Sequence, residues 1–142
     1  MKKEDAPKSR VQNAPLVLVV EDEPPVRRFL VAGLEAQSYR VVEAETGREA
    51  LRAAVQWVPD LVLLDLGLPD GDGFAVLGQV RAVPQPPPVV VITARDDMHS
   101  TVRAVQLGAY EYLTKPLDLE RLVLVVKRAV ESREAERALG HF

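Results

Sequence analysis

Cysteine is absent from the chain, which excludes disulfides, thiolate metal ligands and thiol nucleophiles. Histidine is nearly absent: His99 and His141 are too few and too far apart for an imidazole-based metal site. Long apolar stretches are also missing, since runs such as residues 16–20 fall far short of the roughly 20 residues that span a bilayer. Lys2 and Lys3 imitate the start of a signal peptide, but Glu4 and Asp5 follow where an apolar stretch should be. Positive charge is not in excess. A formal net charge of −3 argues against direct binding to nucleic acid. These absences imply a cytoplasmic protein that contacts neither membrane nor nucleic acid.

What is present fits one ordinary domain with one buried core. Residues 1–15 are polar, carry Lys2, Lys3, Lys8 and Arg10, and show no periodicity, so they read as a disordered leader. Beyond them the chain alternates regularly. Strand-like apolar runs lie at 16–20, 40–42, 61–64 and 89–92, with a weaker one at 110–113. Pro24 and Pro25 suit the first turn of a helix to about 37, with Val26, Phe29, Leu30, Gly33 and Leu34 inward. Further helices fit 47–56, with Ala50, Leu51, Ala54 and Val55 inward, 74–83, and 98–107, which is closed by Gly108. The last starts near 117–118 with a stripe of Leu119, Leu122, Val123, Val126 and Val130; residues 132–142 read as a helical extension or linker. Strands alternating with helices imply βαβ units and a parallel sheet covered on both faces, an α/β doubly wound fold.

The run LVLLDLGLPDGDGF (61–74) ends four aliphatic residues in one carboxylate, Asp65. In open parallel sheets the site forms beyond the carboxyl ends of the strands, so Asp65 stands where chemistry is expected. The corresponding positions elsewhere are Glu21 and Asp22, Thr93, and Lys115. Glu43 and Glu45, after the second strand, are expected at the sheet edge and away from the site. At least three carboxylates in one crevice repel one another unless a hard cation compensates them. Mg²⁺ suits such a set, being held by one or two carboxylates plus water and phosphate oxygens. Lys115 and Thr93 add an ammonium and a hydroxyl suited to phosphoryl oxygens, so Asp65 reads as both ligand and nucleophile. Asp70-Gly71-Asp72-Gly73 lacks the remaining acids of a calcium loop and reads as a turn.

The segments VLVVEDE (17–23), LVLLDLGLPDGDGF (61–74), VVVITA (89–94) and GAYEYLTKPLDLERL (108–122) together resemble the receiver domain of bacterial two-component response regulators, over residues 16–131. The resemblance implies a flavodoxin-like five-stranded parallel sheet, order 2-1-3-4-5, with five helices. It implies Asp65 as phosphoacceptor, and Mg²⁺ at Glu21, Asp22, Asp65 and the backbone carbonyl of Gly67. Thr93, Ala94 and Lys115 would contact the phosphoryl group, Thr93 and Tyr112 would form the switch, and Pro116 would follow Lys115 through a cis bond. The expected partner is a sensor histidine kinase or a phosphotransfer protein, docking near Val26, Arg27 and Leu30. The expected readout is the face of the fourth helix, fifth strand and fifth helix, with Val102, Arg103, Val105 and Arg121 and a possible homodimer through it. Such a chain is a signalling receiver, catalysing only its own phosphorylation and dephosphorylation.

Two other readings use the same residues. An aspartate-nucleophile phosphatase normally needs a second Asp two residues on, and Gly67 stands there. A receiver-like module that is never phosphorylated would leave every chemical position filled without use. The output is open: residues 92–122 are similar to receivers of AAA+ activators, whereas LDLGLPDGDGF is similar to those of winged-helix regulators.

Overall fold

The aliphatic runs become strands because helices cover them on both sides. The computed structural model describes residues 13–139, and its strands are β1 (Leu16–Val20), β2 (Arg40–Ala44), β3 (Leu61–Leu64), β4 (Val89–Thr93) and β5 (Glu111–Thr114). They pair in parallel in the order β2-β1-β3-β4-β5, and every residue of β1, β3 and β4 is buried. The helices between them are α1 (Pro24–Ala36), α2 (Gly47–Trp57), α3 (Gly73–Arg81), α4 (Met98–Gln106) and α5 (Leu119–Leu139). Alternate strand residues separate the core into two layers. Leu18, Val20, Val62, Leu64 and Val91 meet Ala50, Leu77 and Ala104 of α2, α3 and α4. Val17, Val19, Leu61, Leu63 and Ile92 meet Leu30 and Leu34 of α1 and Leu122 and Val126 of α5. Each buried Val or Leu is worth roughly 1.5–3 kcal/mol over exposure, so the sheet dominates the fold's stability.

Side-chain caps set several helix starts. Thr46 accepts the Glu49 N–H at 3.0 Å, Asp72 that of Phe74 at 2.9 Å, and Asp97 that of Ser100 at 2.8 Å. Asp70 reaches across to α2, its two oxygens accepting the Gly47 and Arg48 N–H groups at 2.8 and 3.1 Å. Thus Asp70 and Asp72 act as turn and cap residues, as the missing calcium-loop acids imply. Gly108 follows α4 at φ +99°, a conformation that side chains rarely adopt.

The helix faces depart from the expected ones. In α1, Leu30 and Leu34 are buried, while Phe29 is exposed. In α2 the buried residues are Gly47, Ala50 and Ala53, so the face is rotated and Val55 is left in solvent. These small residues admit the helix close to the sheet, which is the physical reason for the rotation. In α5, Val125 and Ala129 join Leu122, Val126 and Val130 in place of Leu119 and Val123. That helix runs unbroken past 131, and buried Arg133 lies 3.6 Å from Asp60 while its Nη1 donates to the Gln85 carbonyl at 3.2 Å. The loop at 84–88 has four prolines without N–H groups, and Arg81 also serves its carbonyls, at Pro86 and Pro87. Of the expected leader, residues 1–12 lie outside the described residues; Ala14 is buried and its carbonyl accepts from Arg40 at 2.7 Å. Residues 140–142 of the expected extension also lie outside.

A Cβ on Gly73 would fall 2.4 Å from Leu66 Cα and 2.6 Å from its carbonyl oxygen. Gly73→Ala is therefore expected to lose about 1–3 kcal/mol in urea unfolding, and a loss below about 0.5 kcal/mol would show that the turn yields freely. The bonds from Gly47 and Arg48 hold the Asp70 carboxyl below its ordinary 3.8. A carboxyl lowered on folding stabilises above its unfolded value, and that contribution is lost as pH falls through the folded value. Asp70→Asn should flatten this part of the acid limb when stability is measured against pH; an unchanged limb would show that the two bonds carry none of it.

Candidate functional site

Sheet hydrogen bonding extends one residue beyond the strands and holds the chemical groups in place. The Glu21 N–H donates to Ala44 at 3.0 Å, that of Asp65 to Val20 at 3.0 Å, and that of Lys115 to Thr93 at 2.8 Å. Glu21, Asp65 and Thr93 are buried, and Asp22 and Lys115 are partly so. The five residues expected at the strand ends thus share the carboxyl edge of one sheet, with β1 and β3 adjacent.

Carboxylate oxygens of Glu21, Asp22 and Asp65 all lie within 4.8 Å of one another. At an effective dielectric near 20, each such pair of charges repels by on the order of 3 kcal/mol. Lys115 Nζ partly compensates them, at 2.7 Å from Glu21 Oε1 and 3.0 Å from both Asp65 Oδ2 and Glu23 Oε1. Burial pushes the Glu21 carboxyl up to about 7, against the opposing pull of Lys115 and the Glu23 N–H, with Asp65 raising it further. Burial pulls Lys115 down, but its bonds to Glu21, Glu23 and Asp65 outweigh this and hold it above its ordinary range. Glu21 Oε1 is buried beside the Lys115 ammonium, which it shares with Asp65 and Glu23. A buried acceptor of that kind, amid three converging carboxylates, fits a hard divalent cation such as Mg²⁺.

Around the carboxylates, Gly67 donates its N–H to Asp65 Oδ1 at 3.1 Å. A Cβ on Gly67 would sit 3.8 Å from that oxygen, so glycine leaves this approach to Asp65 uncovered. Thr93 Oγ1 accepts the Arg95 N–H at 3.3 Å, and the Tyr112 hydroxyl donates to the Arg95 carbonyl at 2.6 Å. One loop residue therefore holds both groups expected to switch. Ala94 is exposed between them, and the Lys115–Pro116 bond is cis.

Sequence reasoning missed Glu23, whose carboxylate binds Lys115 across the mouth of the site. Glu43 lies on the edge strand and Glu45 just after it, outside the acidic cluster as expected, but both bind Arg27, at 3.2 and 3.1 Å. Arg27 Nη1 in turn donates to the Glu21 carbonyl at 2.8 Å. The adjacency of β2 to β1 makes this link, and the order of charges along the chain does not show it. Two of the expected docking residues are also engaged: Leu30 is in the core and Arg27 in these ion pairs.

Among the described residues no helix is long and apolar enough to cross a membrane. The chain is 43% identical over 124 residues to the transcriptional regulatory protein KdpE of Mycobacterium tuberculosis, covering 87% of this chain and 54% of KdpE. It is 34% identical over 125 residues to the regulatory protein AtoC of Escherichia coli, covering 88% of this chain and 27% of AtoC. The chain thus spans about half the length of KdpE and less of AtoC. Among solved structures, a CheY-like response regulator receiver domain protein from Methanospirillum hungatei superposes with a TM-score of 0.82 at 25% identity, over 87% of this chain and 99% of that one. The BeF3-activated N-terminal receiver domain of RstA from Klebsiella pneumoniae does so at 0.77 and 28%, over 81% and 97%. Residues 17–127 match the response regulator receiver domain family. With that match spanning the sheet and its acidic edge, the chain belongs to this family, the receiver domains of two-component response regulators.

Proposed function

We propose that Asp65 accepts a phosphoryl group from a phosphohistidine on a sensor histidine kinase or phosphotransfer protein, in a Mg²⁺-dependent reaction. The observation that carries this reading is the buried Asp65 carboxylate, fixed at the sheet edge between the acidic cluster and Lys115 Nζ. An Asp65 oxygen attacks phosphorus; the new O–P bond forms as the N–P bond breaks, and the electron pair leaves with the imidazole nitrogen. Glu21, Asp22, Asp65 and the Gly67 carbonyl would hold Mg²⁺, whose chemistry is to neutralise phosphoryl oxygen charge. Lys115 offers an ammonium to the same oxygens, Thr93 a hydroxyl, and Ala94 a small side chain that leaves them room.

The new charge biases a two-state element. If the Thr93 hydroxyl turns to the phosphoryl group, it gives up the Arg95 N–H, and the loop that anchors Tyr112 is released with it. The change would be read on the face of α4, β5 and α5, where Val102, Arg103, Val105 and Arg121 are exposed. That face is also the proposed homodimer contact. The absence of a general acid at Gly67 supports a switch rather than turnover of external substrates. The BeF3-activated form of the RstA receiver makes the same anion a natural probe here.

Incubation with Mg²⁺ and a small acyl phosphate should add one phosphoryl group by intact mass, lost in Asp65→Asn and with chelator. No gain with any donor would sink the phosphoacceptor role. Mg²⁺ should also raise the melting temperature through the sheet-edge site. Asp22→Ala should abolish that rise while leaving the metal-free chain at least as stable as the parent, because it removes one of three mutually repelling carboxylates. An undiminished rise in the variant would remove Asp22 from the ligand set.

A further inference from the structure

The turn from β1 into α1 carries Glu21 and Asp22, and its backbone leaves one acceptor to a side chain. The Glu21 N–H is held by the Ala44 carbonyl at 3.0 Å. The Glu21 carbonyl lies beyond the sheet ladder and receives no backbone N–H among the described residues. The N–H groups of residues 24 and 25 would ordinarily close a turn on it, but both residues are proline and have none. Arg27 supplies the donor instead, its Nη1 donating to the Glu21 oxygen at 2.8 Å.

Two acids aim that donor. Arg27 Nε lies 3.2 Å from Glu43 Oε1, and Nη2 lies 3.1 Å from Glu45 Oε1, so three donors of one planar guanidinium are fixed at once. The Arg27 side chain is 15% exposed, against 48% and 55% for the two acids. Ion pairs to acids that exposed contribute little to stability. They do fix a rotamer-rich side chain, and through it the peptide group that joins Glu21 to Asp22. That peptide is under load. The carboxylates on either side of it lie within 4.8 Å of each other and of Asp65, and like charges repel.

Taking the acidic edge as the Mg²⁺ site proposed above, we infer that Arg27 is a positioning residue for it. The guanidinium holds the Glu21–Asp22 peptide against the repulsion of the cluster and so sets the affinity for Mg²⁺. Its charge alone would act the other way, because a nearby cation opposes a second one and its removal would tighten Mg²⁺ binding. Loss of the brace weakens binding, so the two effects differ in sign. Groups that orient metal ligands from outside carry about tenfold or more in affinity.

Arg27→Lys keeps the charge but offers one compact ammonium, which cannot bridge the carbonyl and both acids. Calorimetric titration of the folded chain with magnesium chloride should show Kd raised about three- to tenfold in Arg27→Lys, and raised also in Arg27→Met. Arg28→Lys, the same exchange at the exposed neighbouring position, should leave Kd unchanged. Phosphorylation of Asp65 by an acyl phosphate, followed by intact mass, should be slowed in Arg27→Lys at limiting Mg²⁺ and recover at saturating Mg²⁺. An unchanged Kd in Arg27→Lys, whatever its melting temperature, would reduce Arg27 to a structural ion pair and overturn the proposal. Tighter binding by Arg27→Met would reduce it to a charge, and an equal loss in Arg28→Lys would show that the brace is not the cause; each would overturn it too. A parent chain that binds no Mg²⁺ would sink the metal site itself, and the role of Arg27 with it.

Discussion

A single ammonium, Lys115 Nζ, sits among the carboxylates of Glu21, Glu23 and Asp65, and much of the molecule is arranged to keep it there. Glu21 is fully buried at the end of a fully buried strand, where an uncompensated carboxylate costs several kcal/mol. One lysine cannot satisfy this set. Glu21 is pushed toward neutrality, and its buried Oε1 shares the Lys115 ammonium with Glu23 and Asp65. The site is thus under-compensated in the way that favours entry of further positive charge, and in the proposed reaction a cation would replace repulsion by coordination.

The hydrophobic layers serve that arrangement. β1, β3 and β4 have no solvent-facing side, so their ends vary little in position, and the backbone bonds of Glu21, Asp65 and Lys115 carry that rigidity to the reactive groups. Beyond that edge, one loop residue links the two groups expected to switch. Arg95 donates its N–H to Thr93 and accepts the Tyr112 hydroxyl on its carbonyl, so in the proposed switch a change at Thr93 would reach the β5 face through one residue. A second ring of charge, Arg27 with Glu43 and Glu45, braces the Glu21 carbonyl from the edge strand.

Much of this was legible in the residues. Unbroken aliphatic runs ending in Asp65, Glu21-Asp22 and Thr93 marked both the parallel sheet and its functional edge, because a strand covered on both faces needs no polar alternation. Helix orientation was less legible. Val55 and Phe29 fit a helical apolar stripe but face solvent, since the true inward face of α2 is set by how closely Gly47, Ala50 and Ala53 approach the sheet. Arg133 looked like part of a polar tail, yet it is buried against a loop whose prolines offer acceptors and few donors.

By itself the sequence determined the order of strands and helices, the residues at the strand ends and the charge they bring together, because periodicity and strand termini are local properties. Only the tertiary structure decided which charges pair. Lys115 meets Glu23 across 92 positions, and Arg137 meets Asp60 across 77. Those partnerships and the rotation of α2 depend on distances between elements, which packing sets and sequence spacing does not record.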